Sequence, residues 1–434
     1  MRVTVIGTGY VGLVCGVGLA DFGLNVACVD CNQQRISALQ RGEMPIYEIG
    51  LEEILKRCVK NHRLKFSTDL KTAIQQAAVI IVAVGTPEGA NGKPDLSQIE
   101  TVAQSLASSI QEYKVIVVKS TVPLGTTRRL NDLIKKQQKR KVKFDIVYNP
   151  EFLREGTAIE DFMRPNRVVI GSDSKEATRV VKEIYRPLYI IETPFIVTTP
   201  EAAEMIKYAS NTFLATKITF INEVANLCEK IGADVHHVAY ALGLDKRIGS
   251  MFLHPGPGFG GSCFPKDVRA LVEAGKELNS PQRLAEIVLQ INQAQSEIVV
   301  AKIDRALQGL DQKRIGVLGL SFKPNTDDVR ESPSLAICKK LVENHAIIQA
   351  YDPVAVPNSR KVLSGEGVIF CENAYDAVTK VDGLVIATEW NEFRNIDLIK
   401  VKSLMKNPVV IDTRNIFEPQ KMKKIGFQYF GQGR

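Results

Sequence analysis

Residues 3–30 read VTVIGTGYVGLVCGVGLADFGLNVACVD, and this stretch decides the fold. Val3 to Ile6 is a short, apolar, β-branched run that glycines stop at once. Gly7, Gly9 and Gly12 follow in GTGYVG, with Val11 inside the same turn. Small and apolar residues then recur at helical spacing from Leu13 to Gly23. A second apolar run, Val26 to Val29, ends on Asp30. Strand, glycine turn, helix, strand and acid in one βαβ unit are the parts of a dinucleotide site. Gly7 permits the tight turn, Gly9 lets a pyrophosphate approach the backbone, and Gly12 lets helix and strand pack closely. The helix start offers free N–H groups and a partial positive charge to phosphates. Asp30 suits ribose hydroxyls and repels a 2′-phosphate, so the expected cofactor is NAD.

Moving outward, three more apolar runs end in small polar residues and proline. Ala78 to Val84 leads into Gly85-Thr86-Pro87, Val115 to Lys119 into Ser120-Thr121-Val122-Pro123, and Asp145 to Tyr148 into Asn149-Pro150-Glu151. Runs of this kind suit a parallel sheet whose ligand crevice lies outside the carboxyl ends of its strands. Thr86, Thr121, Glu151 and Glu155 are therefore expected near the cofactor.

From about Pro200 the pattern changes. Glu201 to Ile231 has almost no helix breakers, and its apolar residues recur at three and four, which predicts one long helix. Lys207 and Asn211 lie four apart on it and share a face, where an ammonium and an amide can together hold an oxyanion. Apolar residues on more than one face of this helix predict a homodimer or higher assembly. The last third echoes the first: RIGVLGL at Arg314 to Leu320, a strand from Ala346 to Tyr351 ending at Asp352, then Gly383 to Ala387 and Val409 to Asp412. Ser-Phe-Lys-Pro follows Gly319 without the spacing of a pyrophosphate turn, so this half is expected to hold a different ligand. The expected α/β architecture is an N-terminal Rossmann domain over 1–199, a central helical dimerisation region with a long connecting helix over 200–300, and a C-terminal Rossmann-like domain over 301–434.

Composition narrows the class. With 434 residues, more than one core is expected. No run approaches the roughly 18 apolar residues of a membrane helix. MRVTVIG has too short an apolar run for a signal-peptide core and reads as a first strand. A net charge of +8 is mild for this length. The densest basic run, KKQQKRKVK at 135–143, carries no aromatic residues and reads as a solvated helix end, so neither nucleic acid nor membrane is an expected partner. Eight cysteines without a paired framework point to a reducing compartment, the cytoplasm. Cys28 and Cys31 have C-x-x-C spacing but no second ligand pair, so no metal is expected.

The most informative remaining stretch is His254 to Asp267, HPGPGFGGSCFPKD. Its glycines let backbone close around a substrate. Cys263 stands where a helix begins, near Lys266, a setting that favours a thiolate nucleophile. Asp267, four residues on, is close enough to act on a proton in the same site.

GSCFPKD, NPEFLREG, K-x-x-x-N and GTGYVG occur here in the order of the nucleotide-sugar 6-dehydrogenases, and the chain resembles the UDP-glucose/GDP-mannose dehydrogenase family throughout its length. The resemblance implies oxidation of UDP-glucose to UDP-glucuronate with two NAD, through a thiohemiacetal and thioester on Cys263. It implies that Lys207 and Asn211 stabilise oxyanions, that Asp267 assists proton transfer, and that Thr121, Glu151 and Glu155 lie near the sugar and the hydrolytic water. NAD contacts map to Asp30, Arg35, Thr86, Thr121, Glu155, Lys266 and Arg330. Substrate contacts map to Glu151, Phe152, Leu153, Arg154 and Glu155, and to Lys207 and Asn211. They continue through Phe252, Leu253, His254, Pro255, Gly256 and Gly260 to Lys323. Arg247 and Arg414 match basic substrate contacts, Arg247 serving the neighbouring subunit. His254 departs from members that carry lysine there. The rival readings are the same chemistry on GDP-mannose or on another UDP-sugar, which nucleotide-sugar trials distinguish, and a non-catalytic nucleotide sensor or scaffold, which binds without releasing NADH.

Overall fold

The computed structural model describes residues 1–89, 92–363, 365 and 367–434. It divides into two compact units, Met1–Ser210 and Asn211–Arg434.

The first unit is built on eight strands: β1 (Arg2–Ile6), β2 (Asn25–Val29), β3 (Leu64–Ser67), β4 (Val79–Val82), β5 (Lys114–Val118), β6 (Phe144–Tyr148), β7 (Val168–Gly171) and β8 (Phe195–Thr198). Their order is β3-β2-β1-β4-β5-β6-β7-β8. Every neighbouring pair is parallel except β6 and β7, which meet antiparallel at Tyr148 and Gly171. A parallel sheet needs cover on both faces, and alternate residues of β1 show it. Val3 and Val5 join one core with Leu13 and Val17, while Ile6 joins the opposite core with Ile80 and Ile116. Chain order reverses between β1 and β4, so the ligand crevice of this sheet opens there.

The second unit carries β9 (Arg314–Leu318), β10 (Ile347–Tyr351), β11 (Val368–Phe370), β12 (Gly383–Ile386), β13 (Val409–Asp412) and β14 (Gln428–Gly431). These form a wholly parallel sheet in the order β11-β10-β9-β12-β13-β14. Helices Val235–Leu244, Phe264–Glu277 and Arg283–Leu307 precede it.

The long helix is continuous from Pro200 to Ile231. Pro200 suits a first turn because its missing N–H is one of the orphan donors there. Gly232, at φ +72°, ends the helix, and the Ala233 N–H returns to the Cys228 carbonyl at 3.0 Å. Strands β3, β7, β8, β11 and β14 lie outside the apolar runs that the sequence marks as strands. β11 has only three residues, and β8 is half-exposed along its length. The basic run over 135–143 is the exposed end of helix Thr126–Gln137 and the turn after it.

Candidate active site

The glycine turn of the first unit has the shape that a pyrophosphate requires. Gly7 sits at φ +97°, and a Cβ there would lie 2.6 Å from the Ala83 carbonyl oxygen. A Cβ on Gly12 would lie 2.0 Å from the Gly7 oxygen, so both positions exclude any side chain. A Cβ on Gly9 would meet nothing within 4 Å, which leaves open space over the backbone. Helix Tyr10–Asp21 begins at Gly9 with no side-chain cap and no acid in its first turn. By contrast, Asp69 and Ser174 cap the helices that follow them. The first N–H groups, Val11 among them, are left for an anion, and the residues present fit a dinucleotide.

Asp30 stands beside this turn. It accepts the Thr8 N–H and hydroxyl, both at 2.8 Å, and the Asn32 N–H at 2.9 Å. Arg35 approaches to 3.4 Å and is partly exposed. Burial pushes the Asp30 carboxyl up, but these donors together hold it below the usual carboxylate range.

Residues after β4, β5 and β6 come together as the sheet predicts. The Thr86 hydroxyl donates to the Thr121 carbonyl at 2.8 Å. Lys207 donates to the Glu151 carbonyl at 2.7 Å and to its Oε1 at 3.1 Å, and both side chains are buried. The other Glu151 oxygen accepts the Leu153 N–H at 2.6 Å. The Phe152 ring lies under the Lys207 ammonium, 5.4 Å away, and under the Arg167 guanidinium, 3.7 Å away. Glu155 is half-buried, while Arg154 is exposed and pairs with Asp161 at 2.6 Å.

Three buried residues of this unit escaped the sequence reading. Glu48 accepts the N–H groups of Gly156 and Ala158, at 2.7 and 2.8 Å, and the Tyr10 hydroxyl. It therefore ties NPEFLREG to the dinucleotide helix. Glu204, one turn before Lys207, accepts the Gly125 and Thr127 N–H groups at 2.5 and 2.8 Å and the Thr127 hydroxyl at 2.6 Å. It caps the helix that follows Thr121. Lys119 joins the ends of β5 and β6 through Asn149 Oδ1 at 3.1 Å. None belongs to a short motif, so only residue type and burial could have marked them.

In the second unit, Cys263 is the N-cap of helix Phe264–Glu277 and is partly exposed. Its sulfur lies 3.5 Å from the Ser262 hydroxyl. Its carbonyl accepts the Asp267 N–H at 2.8 Å, the first turn of the helix. Asp267 is fully buried and takes Lys266 on one oxygen and Asn211 on the other, each at 2.6 Å. Lys207 and Asn211 do lie one turn apart on one helix, but here each is engaged by its own carboxylate, Glu151 and Asp267.

The glycine stretch before Cys263 packs against two loops of the same unit. Phe252 holds φ +64°, an unusual conformation for an aromatic residue. Leu253, Pro255 and Gly256 are buried and His254 is exposed. A Cβ on Gly260 would lie 2.2 Å from the Glu331 oxygen, and one on Gly256 would lie 2.9 Å from Arg414 Nη1. Arg414 donates to the Phe322 carbonyl at 3.2 Å, beside Lys323. The Gly261 N–H donates to the Arg330 carbonyl at 2.9 Å. Arg247 stands apart on an exposed turn, where it pairs with Asp245 at 2.6 Å.

Three family models match in chain order: the UDP-glucose/GDP-mannose dehydrogenase NAD binding domain over 1–189, the central domain over 201–294 and the UDP binding domain over 316–419. The chain belongs to the UDP-glucose/GDP-mannose dehydrogenase family. A UDP-glucose 6-dehydrogenase of Rhizobium meliloti is 47% identical over all of both chains. UDP-glucose 6-dehydrogenase TuaD of Bacillus subtilis is 45% identical over all of this chain and 93% of its own. A UDP-glucose dehydrogenase structure from Pyrobaculum islandicum superposes with a TM-score of 0.92 at 38% identity, covering 100% of this chain and 97% of that one. Membership makes residues 1–189 an NAD binding domain and the architecture an N-terminal Rossmann domain, a central helical region and a C-terminal UDP-binding domain. Among the described residues, no helix is long and apolar enough to cross a membrane.

Proposed function

We propose that this family member oxidises UDP-glucose to UDP-glucuronate, with Cys263 as the covalent nucleophile. Full-length similarity to UDP-glucose 6-dehydrogenases supports the substrate. The observation that carries the chemistry is Cys263 at a helix start, with Lys266 and Asp267 in the first turn and Asn211 of the long helix bonded to Asp267. The reaction consumes UDP-glucose, two NAD and one water, and releases UDP-glucuronate, two NADH and three protons. NAD, when bound at the glycine turn, supplies the hydride acceptor for both oxidations.

The chain's own residues handle the rest. Lys207 and Asn211 offset the charge that develops on the C6 oxygen. The Cys263 thiol adds to the aldehyde carbon: a C–S bond forms, and the thiol proton leaves as the carbonyl oxygen takes one up. This adduct keeps the aldehyde's C–H bond on a carbon that now also bears a hydroxyl, so a second hydride and the hydroxyl proton can leave, giving a thioester. Water then adds, with Glu151 or Asp267 taking its proton, the C–S bond breaks, and the thiol is regenerated. Thr121 and Glu155 flank the sugar in this reading. Phe252 to Gly260, Lys323 and Arg414 hold the nucleotide sugar, and Arg330 reaches the cofactor. The division at 1–199, 200–300 and 301–434 belongs to the same reading.

The acting unit is a homodimer. Phe213, Phe220 and Leu227 recur every seven residues on the long helix and are at least half exposed, an apolar stripe suited to a second copy. Arg247, whose side chain is 89% exposed, then serves the neighbouring site. Its eight free thiols suit the cytoplasm.

Cys263→Ala should abolish UDP-glucuronate formation while NAD still binds. Cys263→Ser should retain a covalent sugar adduct, about one per site by intact-protein mass spectrometry, because an ester is released more slowly than a thioester. Near-normal turnover by Cys263→Ala, or one NADH per sugar in the wild type, would overturn the mechanism. GDP-mannose turning over as fast as UDP-glucose would overturn the substrate. Mixing Arg247→Ala with Cys263→Ala subunits should restore activity, and no recovery would separate Arg247 from the neighbouring site.

A further inference from the structure

The loop ahead of Cys263 is held by amide side chains from two helices. On the long helix, Asn222 Oδ1 accepts the Gly256 N–H at 2.8 Å. On helix Arg283–Leu307, Asn292 accepts the Phe259 N–H at 2.7 Å and donates to the Phe259 carbonyl at 3.0 Å. Gln295, from the same helix and fully buried, donates to the Gly256 carbonyl at 3.1 Å.

The hydrogen bonds continue beyond Gln295. Its Oε1 accepts Asn226 Nδ2 at 3.0 Å, and Asn226 Oδ1 accepts Gln432 Nε2 at 2.9 Å. Gln432, also fully buried, accepts Lys302 on its Oε1 at 2.9 Å. The two ends of this run fix the orientation of every amide in it. An ammonium only donates and a carbonyl only accepts. Each amide in between must therefore present its oxygen toward Lys302 and its NH2 toward Gly256, and such an ordered run is mutually polarising.

The far end of the run is firmly held. Lys302 also donates to the Gly431 carbonyl at 2.9 Å and pairs with Glu229. Glu229 accepts the Gly433 N–H at 2.8 Å, and Asn415 bonds the Gln432 backbone on both sides, each at 2.8 Å. A Cβ on Gly433 would lie 2.7 Å from the Ala225 Cβ.

We propose that Gln432 is a positioning residue for the sugar-nucleotide loop, acting through Asn226 and Gln295 on the Gly256 carbonyl. This rests on the reading of Phe252 to Gly260 as substrate contacts. Its signature is polarity. Gln432→Glu keeps an oxygen for Lys302 but loses the NH2. Asn226 and then Gln295 turn over to compensate, and the last oxygen faces the Gly256 oxygen. Asn226→Asp, at a half-buried position, forces the same turn of Gln295 without touching Gln432.

Both variants should raise the UDP-glucose KM about tenfold, the scale of one lost hydrogen bond with an unmatched acceptor. The NAD KM should change less than about twofold on the same scale. In a Gln295→Met background, with no oxygen to present, Gln432→Glu should add almost nothing. A structural role alone predicts an unchanged UDP-glucose KM with a lower active fraction, and additive losses in the double variant. Either result overturns the proposal. Gly256→Ala separates the two readings. If it raises the UDP-glucose KM while Gln432→Glu and Asn226→Asp do not, the relay is wrong and the loop assignment stands. If all three leave the KM unchanged, the loop assignment falls and the relay falls with it.

Discussion

Two strands in this chain are followed by an aspartate beside a glycine turn, and the two turns start alike. Gly7 after β1 and Gly319 after β9 hold φ +97° and +96°. Each donates its N–H to the last residue of the adjacent strand, Val29 at 2.7 Å and Tyr351 at 2.8 Å. They then diverge. After Gly7 a helix begins at Tyr10, whereas after Gly319 the next helix waits until Pro333. Asp30 accepts from Thr8, Asn32 and Arg35, and Arg35 and the Thr8 hydroxyl can turn away toward a ligand. Asp352 accepts the N–H groups of Leu320, Ser321, Val354 and Ala355, the Ser321 hydroxyl and the Trp390 indole, all within 3.1 Å. It is only 2% exposed. A carboxylate offers about four lone-pair positions, so this one has no capacity left for a ribose. An acid at a strand end therefore marks a nucleotide site only if its neighbours leave it accepting capacity.

The sharpest way to break this comparison is to remove each acid. Asp352→Ala leaves six donors, five of them buried, without their acceptor and should cost about 3 kcal/mol or more. A fall in melting temperature of roughly 6–12 °C follows for a domain of this size. The NAD KM of the surviving enzyme should stay within about twofold, because the cost falls on folding and not on binding. An unchanged melting curve would mean that Asp352 is not the structural acid of the pair.

Asp30→Ala should do the reverse. Loss of the hydrogen bonds offered to a ribose should raise the NAD KM about tenfold. The UDP-glucose KM and the melting temperature should move little. The same variant should narrow the preference for NAD over NADP, since the charge that repels a 2′-phosphate is gone. Equal use of both cofactors by the wild type would show that Arg35 outweighs Asp30.

The comparison also explains what was legible in the sequence. GTGYVG and Asp30 could be read because Gly12 meets Gly7 and Asp30 meets Thr8 within one βαβ unit. So could Cys263 and Asp267, four residues apart at a helix start. The partners of the next residues could not. Lys207 finds Glu151, and Asn211 finds Asp267, each across 56 positions of sequence. Asn226 reaches Gln295 across 69, and Gln432 reaches back 206 to Asn226. Periodicity reports neighbours two to four residues apart, so it places side chains on a face without naming their partners. The echo at Asp352 was visible for the same local reason. The donor from Trp390 that helps to saturate it was not.

Trp390 offers a smaller test. Its indole donates to Asp352 at 3.1 Å and to the Ser321 hydroxyl at 3.3 Å. Trp390→Phe keeps an aromatic ring and deletes this donor, and should cost about 1 kcal/mol. Trp390 is also the single tryptophan of the chain, so its fluorescence reports unfolding around this acid. Asp352→Ala should shift that emission in the folded protein, whereas Asp30→Ala should leave it unchanged. A shift in both variants would mean that the two turns are not independent.

The smallest expected effect is that of pH on the NAD site. Burial raises the Asp30 carboxyl, but the Thr8 and Asn32 N–H groups, the Thr8 hydroxyl and Arg35 bring it below its ordinary value. A carboxyl whose folded value is depressed contributes stability above its unfolded value, about 3.9, and loses it as pH falls through the folded one. Between pH 8 and 5 Asp30 therefore stays ionised, and its hydrogen bonds to Thr8 and Asn32 persist. The NAD KM should be flat over that window, within about twofold. Asp30→Ala should raise it by the same factor at pH 5 and at pH 8. An inflection between pH 5 and 7 in the wild type that disappears in Asp30→Ala would show the carboxylate titrating there. Asp30 would then be short of donors in the protein, the opposite of the saturated Asp352.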